Sequence, residues 1–365
     1  MNVRQYSSSL ILGTLCCIAQ LVHAKPPENV AYVTNQDSGV TVLDTTTSKA
    51  VATISVGTGA RGVGITSDGR FVLVAVQSSG DVAVIDTESN KVVRRIEVGP
   101  NVEFLRVQPG LDRAFVTYEP SSSGKPDAAG KPDAAGKSDA PGKEAGGETE
   151  ERTPAEVAII DLKSWKVIAR MKAAPETEGI EFSPDGKNLL VANEGDNTIS
   201  IYDLQTRKIV KVVNISSSGD RPRGVKALPH GRGYVVTLEN SNSMLFMDPS
   251  FKPVKTVPTA KGPYGVAIDP SGTRIWVAAA RDGQLQSFDS ETFEPKGSVS
   301  IGKRCWHFSF VGTSEHILVA CGRSNVVDLV DASAGQTLQA IEGFDLPWGV
   351  VTFPKSAGSL DAPQP

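Results

Sequence analysis

The sequence predicts an all-β fold, a seven-bladed β-propeller of four-stranded antiparallel blades, and three observations carry that prediction. First, a hydrophobic strand ends in aspartate seven times, at Asp44, Asp86, Asp161, Asp203, Asp248, Asp289 and Asp331. Their separations are 42, 75, 42, 45, 41 and 42 residues, and self-similarity at a fixed period marks a repeat architecture. Second, each period holds four short runs of β-type composition divided by turn signals, such as Gly179 to Phe182, Leu189 to Ala192, Thr198 to Tyr202 and Lys208 to Val212. Third, no unit shows the helical periodicity that a solenoid or horseshoe requires.

Residues 1–24 read as a secretory signal: Arg4, an apolar run from Leu10 to Ala19, then Val22-His23-Ala24 as a small-residue cleavage site. Cleavage is expected after Ala24. Leu15 stands before Cys16 where a lipidation signal wants a small residue, which argues against a lipid anchor at Cys16 or Cys17. The ring is expected over residues 25–354. It opens at Val30-Ala31-Tyr32-Val33-Thr34-Asn35, the equivalent of a second strand, and closes at Trp348 to Phe353, the equivalent of a first. The C-terminal first strand is therefore expected to pair with the N-terminal strands, which leaves no open sheet edge at the seam.

The one long interval comes from residues 121–153, which hold the near-repeats Gly124 to Gly130 and Lys131 to Gly136 and no large apolar side chain. Such a segment reads as a disordered insertion in the third blade, on the face of the channel mouth. Residues 355–365 read as a disordered tail. The repeated aspartates sit at tight turns, where a carboxylate caps backbone N–H groups, so they are assigned to turn chemistry rather than to metal binding.

The chain has 37 Lys and Arg against 41 Asp and Glu, a formal net charge of −4. That balance speaks against nucleic-acid binding, which rests on clustered positive charge. After the leader no stretch has the roughly 18 continuous apolar residues of a membrane span, so no membrane insertion is expected. Beyond the leader two cysteines remain, Cys305 and Cys321. Antiparallel pairing of neighbouring strands places them nearly opposite, and an oxidising compartment favours a disulfide.

Tyr32-Val33-Thr34-Asn35, followed by Val40 to Asp44 and Val51 to Gly57, resembles the YVTN-repeat β-propellers over almost the whole chain beyond the leader. Departures fall in the third unit, with its insertion, and in the last, where Cys321 stands in place of the motif asparagine. Propellers of this kind include surface-layer proteins, periplasmic proteins encoded beside quinoprotein alcohol oxidation systems, and the haem-binding propeller of nitrite reductases. The resemblance thus implies export and an accessory role beside periplasmic oxidation enzymes.

Function in a ring of blades is sought at the channel mouth, where non-equivalent residues converge. Aligning the units places Trp348, Arg61, Glu103, Glu178, Arg223, Tyr264 and Trp306 at the entry of the innermost strands of blades one to seven. This predicts an aromatic side across the seam and a charged side opposite. Two readings follow: a site for a planar or amphipathic ligand, stacked on the aromatics and oriented by the charges, or Arg61–Glu103 and Arg223–Glu178 pairs that neutralise one another while the aromatics plug the channel. The arginine neighbours also argue against Ca²⁺ at the two glutamates.

His307 is the one histidine expected near the mouth, since His230 and His316 fall at the opposite face. No Cys-x-x-Cys-His, Gly-x-Ser-x-Gly, P-loop or zinc spacing is present. The expectation is a periplasmic or secreted, monomeric, non-enzymatic propeller that binds a small molecule or protein partner at the top face, its cofactor unspecified. A lactonase-type enzyme with a channel metal and a structural cell-surface module are the alternatives.

Overall fold

The computed structural model describes residues 29–119, 154–312 and 315–363. The expected leader and the expected insertion at 121–153 lie outside the described residues. The described strands form seven four-stranded antiparallel sheets arranged as blades around a channel. In blade one the C-terminal strand Pro347–Phe353 is innermost and pairs with Val30–Asn35, with Ala31 opposite Thr352 and Val33 opposite Val350. The ring is closed as the sequence predicts.

Blade packing explains the burial of each strand. The second strands, such as Phe71–Val76, are apolar on both faces because each face meets a neighbouring blade. The outermost strands see solvent: in Lys208–Asn214 only Val213 is buried.

The repeated aspartates cap turns. The Asp44 carboxylate accepts from the Thr46 and Thr47 amides at 2.8 and 2.9 Å, and Asp331 from Ser333 and Ala334 at 2.9 and 2.7 Å. The same backbone bonds hold both carboxyls below the usual carboxylate range and bring Asp289 down to about 2.

The Tyr-Val-Thr-Asn segment also has a structural task. Thr34 Oγ1 donates to the Arg61 carbonyl of the next blade at 2.8 Å and accepts from the Gly349 amide of its own blade at 3.0 Å. It thereby ties adjacent innermost strands together at the mouth. Glycine follows the mouth residue in five of the seven blades because those strands nearly touch: a Cβ on Gly179 would sit 2.3 Å from the Arg223 carbonyl oxygen, and one on Gly265 2.4 Å from that of Trp306.

Cys305 and Cys321 are directly opposed on the first two strands of blade seven and form a disulfide, with their Cα atoms 3.8 Å apart.

One expectation is overturned. The tail at 355–365 is expected to be disordered, yet its described residues, 355–363, turn back into the channel from the bottom face, with Ser356, Ser359 and Leu360 buried. A reading based on apolar content misses the reason. The segment is held by its backbone: the Phe310 amide donates to the Ala357 carbonyl at 2.8 Å and the Ser359 amide donates to the Phe308 carbonyl at 2.9 Å.

Candidate functional site: the channel mouth

Seven side chains enter the mouth from equivalent positions, and the structure brings most of them into contact. Arg61 pairs with Glu103, and its Nε donates to Gln36 at 3.1 Å. Arg223 pairs with Glu178, lies 4.8 Å over the Tyr264 ring, and its Nε donates to Glu239 at 2.6 Å. Tyr264 in turn donates its hydroxyl to Glu178 at 3.2 Å. Of the second reading of the mouth, the two ion pairs Arg61–Glu103 and Arg223–Glu178 are present.

The aromatic residues divide. His307 points across the channel just below the mouth, 4.3 Å from the Trp348 ring, 5.5 Å from Tyr264 and 5.9 Å from Phe104. Trp306 instead lies against blade seven, where a Cβ on Gly322 would fall 1.9 Å from its ring. His307 is 2% exposed, and burial, reinforced by Arg106, Lys226 and Arg223, holds its ring neutral, well below the ordinary histidine range.

The division into a charged and an aromatic side does not survive folding. Glu239 stands just beyond the second strand of blade five, 2% exposed, and four arginines converge on it. Arg223 and Arg221 come from its own blade, the latter at 3.3 Å; Arg281 of blade six approaches to 3.1 Å and Arg304 of blade seven to 3.5 Å. Two of these cations therefore stand in the sector of Tyr264 and Trp306. Glu194 takes part as well, 2.5 Å from Arg221 and paired with Arg223. Burial outweighs the attraction of Arg223 and pushes the Glu194 carboxyl up to about 8, whereas Glu239, with its arginines, stays below the usual value.

A sequence signal for this second ring existed. The residues that follow the second strands are Gln36, Gln77, Glu119, Glu194, Glu239, Ala280 and Gly322: polar in blades one to five and small in the two blades that carry Tyr264 and Trp306.

A deeper layer was missed too. Three residues below the mouth positions of blades three, four and five stand Arg106, Glu181 and Lys226, all 5% exposed or less. Arg106 pairs with Glu181 at 2.9 Å, and Lys226 lies 3.7 Å from the same carboxylate. Burial draws Lys226 down to about 7. Among the described residues, the one cluster of three potential metal ligands is Cys305, Cys321 and Asp328, and its two thiols are consumed by the disulfide.

Two family models match segments of the chain. Residues 20–103 match the cytochrome D1 haem domain, and residues 153–249 match the seven-bladed β-propeller lactonases. No curated protein matches. Among solved structures, Kuenenia stuttgartiensis hydrazine synthase aligns at 17% identity and a TM-score of 0.67, covering 86% of this chain and 99% of that one. The dihydro-haem d1 dehydrogenase NirN aligns at 18% identity and 0.62, covering 90% of this chain and 76% of NirN. The periplasmic gluconolactonase PpgL of Pseudomonas aeruginosa aligns at 14% identity and 0.68, covering 89% and 98%. At these identities the shared property is the fold: the chain is a seven-bladed propeller of the architecture common to haem d1 domains and lactonases.

Proposed function

We propose that the protein is an exported propeller that binds, on the top face of blades five to seven, a small planar or amphipathic ligand carrying an anionic group. One observation carries the reading: four arginines converge on Glu239, with Glu178 and Glu194 as further partners of Arg223 and Arg221, and Arg221, Arg281 and Arg304 keep 39, 38 and 26% of their side chains exposed. Guanidinium groups in excess of their counter-ions beside aromatic rings suit a flat carboxylate or phosphate ester. The disulfide favours an oxidising compartment, and the periplasmic gluconolactonase among the structural neighbours supports the same location.

Titrating the full-length protein with aromatic mono- and dicarboxylates, read by tryptophan fluorescence, tests this reading. The R281A/R304A double variant is expected to weaken binding at least tenfold with its melting temperature within about 4 °C of the wild type. Equal affinity in wild type and variant refutes it.

A second reading, a lactonase-type hydrolase, is favoured by a specific feature. The segment that matches the lactonase model contains Glu178, Glu194, Arg223 and Glu239, and the Glu194 carboxyl, at about 8, holds a proton near neutral pH. Hydrolysis of a simple sugar lactone that disappears in E194Q would move the assignment to this class.

A haem ligand, as named for the cytochrome D1 haem domain, does not fit the channel in this conformation. His307 is pressed between aromatic rings, and its Nδ1 lies 2.9 Å from the Ser359 hydroxyl of the C-terminal segment.

A further inference from the structure

The C-terminal segment meets the channel in the manner of a bound peptide. It runs beside the inner edge of the strand Cys305–Val311, with Ser309 and Gly358 in an antiparallel bridge flanked by the Phe310-to-Ala357 and Ser359-to-Phe308 backbone bonds. This is strand addition to an otherwise open edge. Its carbonyls are then collected from the far side of the channel. Arg106 donates Nη2 to the Ser359 carbonyl at 2.8 Å and Nε to that of Leu360 at 3.2 Å, and Lys226 donates to that of Asp361.

The side chains that enter are small, Ala357, Gly358 and Ser359, and Leu360 is the one large apolar anchor, 1% exposed. Ser359 Oγ accepts from the Phe308 amide at 3.0 Å and meets His307 Nδ1, while His307 Nε2, buried among the rings, has no hydrogen-bond partner.

Two features separate the segment from the ring that surrounds it. All seven blades are complete without it, because the closing strand ends at Phe353. Along its return toward the bottom face a pocket of about 210 Å³, partly open to solvent, separates Leu360 to Ala362 from the turns at Thr66 and Pro109. A stretch needed only to fill the channel would be better served by apolar side chains than by a buried arginine, lysine and glutamate.

We propose that the central channel is a binding site for a short turn-forming peptide of small residues, read through its main-chain carbonyls by Arg106 and Lys226, and that residues 355–363 occupy it as a removable ligand of the chain's own. The site lies below the mouth and does not depend on the ligand proposed for the top face.

Two measurements on the full-length protein test this. Hydrogen exchange of the Phe310 and Ser359 amides is expected to occur by a local opening that leaves the amides of Leu73 to Val76 protected. In G358V, the added Cβ meets the Phe308 carbonyl oxygen at 2.4 Å and the Ser309 Cα at 2.7 Å, so the segment is expected to be expelled. A synthetic peptide with the sequence of residues 355–365 is expected to bind G358V at least tenfold more tightly than wild type. Adding K226M should lose about tenfold of that affinity, the worth of one charged hydrogen bond. Exchange of Phe310 and Ser359 only with global unfolding, or a folded G358V that ignores the peptide, overturns the proposal. A G358V chain that fails to fold, together with global exchange in the wild type, overturns it as well, since the segment is then core.

Discussion

Replacing Glu239 with glutamine removes the charge on which Arg221, Arg223, Arg281 and Arg304 converge while keeping an acceptor of the same size. The cost is dominated by Arg223, whose side chain is 9% exposed and whose Nε lies 2.6 Å from the carboxylate. Removing one partner of a buried ion pair costs about 3–5 kcal/mol. Arg223 also touches Glu178 and Glu194, which places E239Q at the low end, about 3 kcal/mol. Arg221 and Arg281, more than a third exposed, add at most about 1 kcal/mol each because solvent screens them. For a ring of this size about 3 kcal/mol lowers the melting temperature by about 6 °C, against about 2 °C or less for R281A. Calorimetric melting of both variants beside the wild type measures the difference. The same substitution leaves four guanidinium groups without their shared counter-ion, so inorganic phosphate is expected to bind E239Q more tightly than wild type. An E239Q protein that melts within about 2 °C of wild type and binds phosphate no better refutes the view that this carboxylate organises the top face.

Two further outcomes follow from the same structure. Because burial lifts Glu194 from 4.5 to about 8, the folded protein keeps a proton that the unfolded chain releases in that window. Stability therefore falls as pH rises between those values; E194Q should flatten the fall, and urea midpoints at about pH 5 and about pH 8.5 that drop equally in both proteins contradict it. Reduction of the Cys305–Cys321 disulfide, which spans 16 residues of sequence, should cost about 3 kcal/mol, or about 6 °C, in melts with and without reductant; superimposable melts would show that strand pairing alone sets the stability of blade seven.

The sequence by itself determined the ring. Local chemistry recurs in every unit and needs no knowledge of distant contacts: Asp44 and its equivalents cap turns two or three residues away, and the strands between them alternate with turn signals. The closing strand and the disulfide were legible for the same reason, since antiparallel pairing converts repeat position directly into neighbourhood. The mouth was legible as a list of seven positions, and the Arg61–Glu103 and Arg223–Glu178 pairs as one of two possible outcomes.

Only the tertiary structure decided how those residues meet. Glu239 gathers arginines from three blades, up to 65 residues away in sequence, because the residues that follow the second strands (Glu239, Arg281) and those at the start of the first strands (Arg221, Arg223, Arg304) meet at the same opening. No local pattern encodes that convergence. The C-terminal segment is the clearest case. Its composition of small and polar residues reads as disorder when ordering must be offset by apolar burial, but in the channel its carbonyls meet Arg106, 254 residues before Leu360 in sequence, and Lys226, 135 residues before Asp361. Those two cations stand on the innermost strands of blades three and five, and only the closed ring brings both to the carbonyls of the tail.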